Sequence, residues 1–368
     1  MSAAPRLSRR LSVKARLPRR PECPRHVGIE PDPAPKIVAR LNTGRTGYIL
    51  GSLKRLVTWL LGFLLLASGC GKQDKKRIAV IPKGRAHLFW QSVHAGAVAA
   101  SREAKVDIIW NGPATETDYT GQLQIVEAMI NQRVDAIALA PIDKTAMVSV
   151  VERAAREKIP VVIFDSGIDT ENFVAQVATD NYRGGQTGAE RIGKILAGKG
   201  KVAIVAVQPG AASTMLREQG FEETIHKSYP GIEVVDKRYG MADFAKSLAV
   251  AENMLTAHSD LNALFASNES STVGAAQALK GRKGHVLLVG FDSSPTLLED
   301  LQGGLIDSLV VQDPFKMGYE SVQAAVKKLE GGAPVKINNM PPLLVTKENL
   351  NDPAVQKQLK PDLDKYLK

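Results

Sequence analysis

From residue 77 onward, short wholly apolar runs alternate with longer segments of helical spacing, and this alternation restricts the chain to a parallel α/β architecture. The first run is Ile78-Ala79-Val80-Ile81. Residues 89–104 follow at helical spacing, 106–110 read as extended, and 122–132 place Leu123, Val126 and Ile130 on one helix face. Residues 136–140, 161–164 and 174–178 are further predicted strands, with a helix over 146–157 that ends before Pro160. A second series repeats the plan. It predicts helices over 182–196, 213–228, 244–256, 271–280 and 317–329, and strands over 202–207, 232–235, 263–266, 286–291 and 309–311. A strand wetted on one face alternates polar and apolar residues. These runs do not, so each predicted sheet is parallel and covered on both faces. Two such series within about 290 residues predict two doubly wound lobes, each able to bury its own core.

The segment ahead of this region has a different logic. Lys54-Arg55 precedes an apolar run over 56–66, which closes in Leu66-Ala67-Ser68-Gly69-Cys70. Charge, apolar stretch and small residues before a cleavage point are the layout of a secretory signal. The run is too short to span a hydrocarbon core of about 30 Å. Cys70 is the only cysteine after Cys23, so it cannot form an intramolecular disulfide in a chain cut before it. The stretch resembles a bacterial lipoprotein signal, which implies cleavage before Cys70 and diacylglycerol on its thiol. Two acyl chains are a sufficient anchor. Residues 1–50 are rich in Arg and Pro with little periodicity, and read as a disordered leader or an over-extended start, with residues 51–69 as the signal.

The formal charge of +10 belongs to that leader. Residues 1–69 hold 13 of the 48 Lys and Arg and 3 of the 38 Asp and Glu, which leaves 35 of each sign beyond them. A neutral chain lacks the basic footprint of a nucleic-acid binder.

Ligands of open parallel sheets bind beyond the carboxyl ends of the strands. Asp165, Asn268, Asp292 and Gln312 all stand at such ends, in both predicted lobes. Arg217 lies in the helix after the strand at 202–207, and Phe89 and Trp90 open the helix after the first strand. Asp, Asn, Gln and Arg present directional donors and acceptors to adjacent hydroxyls, while aromatic faces cover the C–H patches of a sugar ring. Singly, each has a plainer role: Asp165 as a helix cap, Phe89 as core, Arg217 as a surface residue.

Together these residues resemble the type I periplasmic sugar-binding proteins of ABC importers, near their ribose-binding branch. The resemblance covers about residues 77–347. It rests on His87-Leu88-Phe89-Trp90, Ile163-Phe164-Asp165-Ser166, Ala178-Thr179-Asp180-Asn181, Arg217-Glu218-Gln219-Gly220-Phe221, Asp243-Phe244, Phe265-Ala266-Ser267-Asn268, Val289-Gly290-Phe291-Asp292 and Val310-Val311-Gln312-Asp313-Pro314. It implies two lobes joined by a three-stranded hinge: 77–179 with 314–342, and 180–313 with 343–368. It further implies a ligand site of His87, Phe89, Trp90, Asp165, Arg217, Phe244, Asn268, Asp292 and Gln312, with Phe89 and Trp90 sandwiching the ring. Ribose binders follow their Asp with Arg, and this chain has Ser166; His87 stands where Asn is usual, and Trp90 where Phe is. A pentose, hexose or related polyol is the implied ligand, an importer permease the implied partner, and a monomer anchored through Cys70 in the periplasm or at the cell surface the implied form.

Competing classes lack their signatures. There is no Gly-x-Gly-x-x-Gly after a strand, no Walker loop and no His-Glu-x-x-His, and the histidines show no metal spacing, so no enzyme activity, cofactor or metal is expected. A lactose-repressor-type regulator would need an N-terminal helix-turn-helix. A sensor that reports its ligand to a chemoreceptor or histidine kinase would use the same pocket and stays open.

Overall fold

The computed structural model describes residues 75–282 and 286–368. The first lobe starts with β1 (Arg77–Ile81), α1 (Leu88–Ala104), β2 (Asp107–Trp110), α2 (Tyr119–Asn131), β3 (Ala136–Leu139), α3 (Val148–Arg156), β4 (Val161–Phe164) and β5 (Ala175–Thr179). The chain then crosses to α4 (Asn181–Ile195), β6 (Lys199–Ala206), α5 (Ala212–Ser228), β7 (Gly231–Tyr239), α6 (Phe244–Ala257) and β8 (Ala263–Ala266). Next come α7 (Glu269–Leu279), β9 (Leu287–Phe291), α8 (Pro295–Gly303) and β10 (Ser308–Val311). It returns through α9 (Pro314–Leu329) to β11 (Ile337–Met340), and crosses once more to β12 (Leu343–Thr346), α10 (Pro353–Leu359) and α11 (Asp364–Leu367).

Two six-stranded sheets result, ordered β11-β5-β4-β3-β1-β2 and β12-β10-β9-β8-β6-β7. Every pairing is parallel except β10 with β12. In each lobe the strand order reverses at the first strand, and loops leaving either side of that point open a crevice. Three crossings join the sheets, after β5, β10 and β11.

The apolar strands behave as their composition requires. Ile78 and Val80 of β1 pack under α1 and α9, while Ala79 and Ile81 pack under α2 and α3. Val202 and Ile204 of β6 face α4 and α5, and Ala203 and Val205 face α6, α7 and α8. Each lobe also contains a helix crossing closed by a reciprocal pair of glycines. A methyl on Gly96 of α1 would sit 1.9 Å from the Phe315 carbonyl oxygen of α9, and one on Gly318 2.0 Å from that of Val93. In the second lobe Gly185 of α4 and Gly220 of α5 stand in the same reciprocal relation, 1.9 Å from the Arg217 oxygen and 2.2 Å from that of Tyr182.

Helix α8, strands β11 and β12 and the two tail helices are additions to the elements read from sequence. The tail returns to the first lobe: Arg102 of α1 donates to the carbonyls of Lys365 (2.9 Å) and Tyr366 (3.2 Å), and Phe315 meets the Tyr366 ring.

Candidate functional site

The carboxyl ends of both sheets meet around a narrow, partly open space of about 30 Å³. In the first lobe it is lined by Lys83 and His87 of the β1–α1 loop, Phe89 and Trp90 of α1, Glu116 of the β2–α2 loop and Asp165 after β4. Ser213, Thr214, Arg217, Asn268, Glu269, Asp292 and the hinge residue Gln312 complete it. Thus eight of the nine ligand residues expected from sequence share one chamber. Phe244 does not line it. The Phe244 ring is 38% exposed at the start of α6 and meets the edge of His87 at 5.1 Å. Cys70 and the signal segment lie outside the described residues.

In the first lobe, Gln122 fixes the floor. Fully buried, it donates to the carbonyls of Pro82 (3.0 Å) and Ala140 (2.7 Å) and accepts from the Ile142 amide (2.9 Å). This ties together the loops that follow β1 and β3. Lys83 then points its ammonium at Asp165 Oδ2 (2.6 Å) and donates to Ser213 Oγ of the opposite lobe (2.9 Å). Ser166 is turned away from the chamber. Its hydroxyl accepts from the Ser213 amide at 3.0 Å, so Lys83, not the residue after Asp165, supplies the cation beside that carboxylate.

Glu116 accepts from the Trp90 indole (2.8 Å) and lies 2.8 Å from His87 Nδ1. Burial disfavours a charged imidazole, but the hydrogen bond and charge of Glu116 outweigh it and raise the His87 pKa to about 9. The same contact works in reverse on the acid: against burial, His87, Lys83 and the indole hold Glu116 down at about 2. Trp90 is only 2% exposed and also packs edge-on against Phe89 and Phe164, so it is both chamber wall and core.

The second lobe relies on hydrogen bonds within its own framework. Arg217 is buried, donates from Nε to Asn181 Oδ1 (2.8 Å) and from Nη1 to the Ser267 carbonyl (2.9 Å), and lies 4.0 Å from the centre of the Phe291 ring. Burial pushes its guanidinium below the usual value. Asp292 accepts from the Glu269 amide (2.9 Å) and from Gln312 Nε2 (2.7 Å), while Gln312 accepts from Thr179 Oγ1 (2.7 Å) at the end of β5. Asp292 is thereby wired to the hinge. Asn268 caps α7 through Oδ1, which accepts from the Ser271 amide, and leaves its Nδ2 for the chamber.

Lys83, Glu116, Ser213, Thr214 and Glu269 escaped the sequence reading. Lys83 follows the first strand by two residues, and the strand-end rule applied there points to it. Glu116 lies six residues beyond β2, where no local rule reaches. A larger, partly open cavity of about 480 Å³ lies behind Phe89, Asp292 and Gln312 and is bounded by the β9–α8 turn and tail residues of 350–363. No group of side chains among the described residues could hold a metal ion.

Such a chamber, built half from each of two doubly wound lobes with three crossings, is the architecture of solute-binding proteins, and a model described as a periplasmic binding protein domain matches residues 78–333. The chain belongs to the periplasmic binding protein family. Among its similar members is a D-ribose/D-allose-binding protein of Pseudomonas aeruginosa, 32% identical over 71% of this chain and 84% of the relative. The D-allose-binding periplasmic protein of Escherichia coli is 29% identical over 78% and 95%. Among solved structures, a carbohydrate transporter solute-binding protein of Agrobacterium radiobacter in complex with D-arabinose superposes with a TM-score of 0.76 at 31% identity, covering 78% of this chain and all of that one. Periplasmic binding proteins of this kind are carriers' receptors rather than enzymes.

Proposed function

We propose that this protein captures a neutral sugar between its lobes and delivers it to an ABC importer. One observation carries the reading. Asp165, Arg217, Asn268, Asp292 and Gln312, drawn from both lobes, line one chamber together with Phe89 and Trp90. The cations there are matched by acids, Lys83 with Asp165, His87 with Glu116 and Arg217 with Asp292 at 4.0 Å, which suits hydroxyls rather than a charged ligand. Relatives named for ribose and allose, and similar structures holding D-arabinose, alpha-D-tagatopyranose and D-fucose, support a pentose or hexose. A thermal-shift screen against pentoses, hexoses, polyols and nucleosides tests it. A ligand at a hundredfold excess over its Kd adds about 2.7 kcal/mol of stability. No shift with any sugar sinks the proposal.

The protein works as a monomer outside the cytoplasmic membrane, held there by acylated Cys70. The apolar run ending in Leu66-Ala67-Ser68-Gly69-Cys70 supports this. Replacing Cys70 by Ser should move the protein from the membrane to the soluble fraction. Continued membrane retention of the cleaved Cys70→Ser form refutes the anchor.

A further inference from the structure

The first turn of α1 stands at the chamber with no cap of its own. Its N-cap residue is His87, whose side chain makes no bond to the helix because the imidazole is turned to Glu116, and the turn contains no acid. Six other helices provide their own caps, through Asp118, Asp180, Asp243, Asn268, Ser294 and Asp313, while α3, α5, α10 and α11, like α1, do not. At α1 the amides of Leu88 and Phe89 donate instead to Oε1 (3.4 Å) and Oε2 (3.2 Å) of Glu269. Glu269 is the first residue of α7, in the opposite lobe, and only 4% exposed. A helix N-terminus offers unpaired N–H groups and the positive end of a dipole, and a carboxylate answers both.

We propose that Glu269 is a positioning residue that latches the two lobes by serving as the N-cap of α1 from across the cleft. The inference rests on the sugar-capture reading, because capture requires the lobes to come together. The latch exists only in that state: separation strips α1 of its cap. It is also tied to the ligand wall, since the Glu269 amide donates to Asp292 Oδ2 (2.9 Å). A sugar that engages Asp292 steadies the residue that holds the lobes. Burial pushes the Glu269 carboxyl up to about 7; Asp292 adds to the rise, while His87 and the Phe89 and Leu88 amides oppose it. Lys83, Glu116, Asp165 and Arg217 are the other charged groups on the same chamber. The carboxyl thus changes charge as the pH rises through 7, and closure should depend on pH in that range.

The test measures distances between nitroxide labels at Arg85→Cys and Lys246→Cys, exposed sites on the two lobes, in the full chain with Cys23 and Cys70 replaced by Ser. Wild type, Glu269→Ala and Glu269→Gln are compared at about pH 5 and about pH 8.5, alone and with millimolar D-ribose, D-allose or D-arabinose as probes. Wild type should gain a short-distance population with at least one probe. Glu269→Ala should lower the closed-to-open ratio about tenfold, the scale of a lost helix cap. Glu269→Gln keeps an accepting oxygen, so it should retain most closure and lose the pH dependence. Glu269→Asp, one methylene short of α1, replaces the Ala variant if that fails to fold. Equal closure of wild type and the Ala or Asp variant overturns the latch alone. A wild type without a short-distance population under any condition overturns the latch and the capture reading together.

Discussion

The two lobes solve the same problem with different chemistry. Each ends its fourth strand in Phe-Asp-Ser, Phe164-Asp165-Ser166 and Phe291-Asp292-Ser293. Each turns that Asp into the left-handed region, at φ 60° and 69°, which aims the carboxylate into the chamber at a backbone cost that Asp bears better than most residues. Each anchors the Asp amide to the neighbouring strand, on the carbonyls of Val177 and Val310. Beyond that they part. The first lobe balances its acids with cations, Lys83 for Asp165 and His87 for Glu116. The second holds Asp292 with an amide N–H and the Gln312 side chain, and its cation, Arg217, stands 4.0 Å off. One half of the site uses close ion pairs and the other direct hydrogen bonds with a more distant cation.

Neutralising each Asp in turn should break this comparison if it is wrong. Asp165→Asn leaves the buried Lys83 ammonium without its counter-ion and should cost about 3–5 kcal/mol of stability. Asp292→Asn keeps an acceptor and should cost about 1–3 kcal/mol. Calorimetric unfolding of both variants decides it; equal losses erase the distinction. Next in size are the helix crossings. Gly96→Ala and Gly185→Ala should each cost about 1–3 kcal/mol through overpacking. Only Gly185→Ala should also weaken sugar binding, because its methyl strikes the carbonyl of Arg217. Binding isotherms on both variants, with the sugar found by thermal screening, would show whether the crossing positions the guanidinium.

A pH series sharpens the charge side of the comparison. His87 is raised from 6.5 to about 9, so its contribution to stability is fully present below 6.5 and lost as the pH rises through 9. Glu269, raised from 4.5 to about 7, contributes below 4.5 and loses that as the pH rises through 7. The melting temperature should therefore fall from mildly acid to alkaline pH. His87→Gln should flatten the upper part of the curve and Glu269→Gln the lower part. A His87→Gln protein with the wild-type slope between neutrality and pH 9 contradicts the ion pair. The smallest effect belongs to Phe244→Ala. Outside the chamber lining, this ring should change affinity by no more than about threefold, or under 1 kcal/mol. A larger loss would make it a ligand contact after all.

Much of this was legible before the fold was known. Strand runs such as Val161–Phe164 and Ala263–Ala266 are apolar on both faces and bounded by polar residues, so burial and position coincide in the sequence. The strand-end rule then found Asp165, Asn268, Asp292 and Gln312. What escaped depends on contacts between distant segments. Strand β11, Ile337–Met340, is half polar at the edge of its sheet and becomes a strand by pairing with β5. Glu116 sits in a loop that nothing local marks, and acquires its role from His87 and Trp90, more than twenty residues earlier. Glu269, beside Asn268, carries no local mark because its partners are amides of another lobe.

The path of the chain's two ends has a mechanical consequence. The polypeptide enters this body beside β1, and its last helix, after visiting the second lobe, comes to rest on α1. Both termini of the described body thus belong to the same half. Any tether at the leading end, or any fusion at the trailing one, would grip that half and leave the other as the free-swinging arm. A fluorescent reporter meant to follow opening therefore belongs on the surface of the second lobe, with its reference at either terminus.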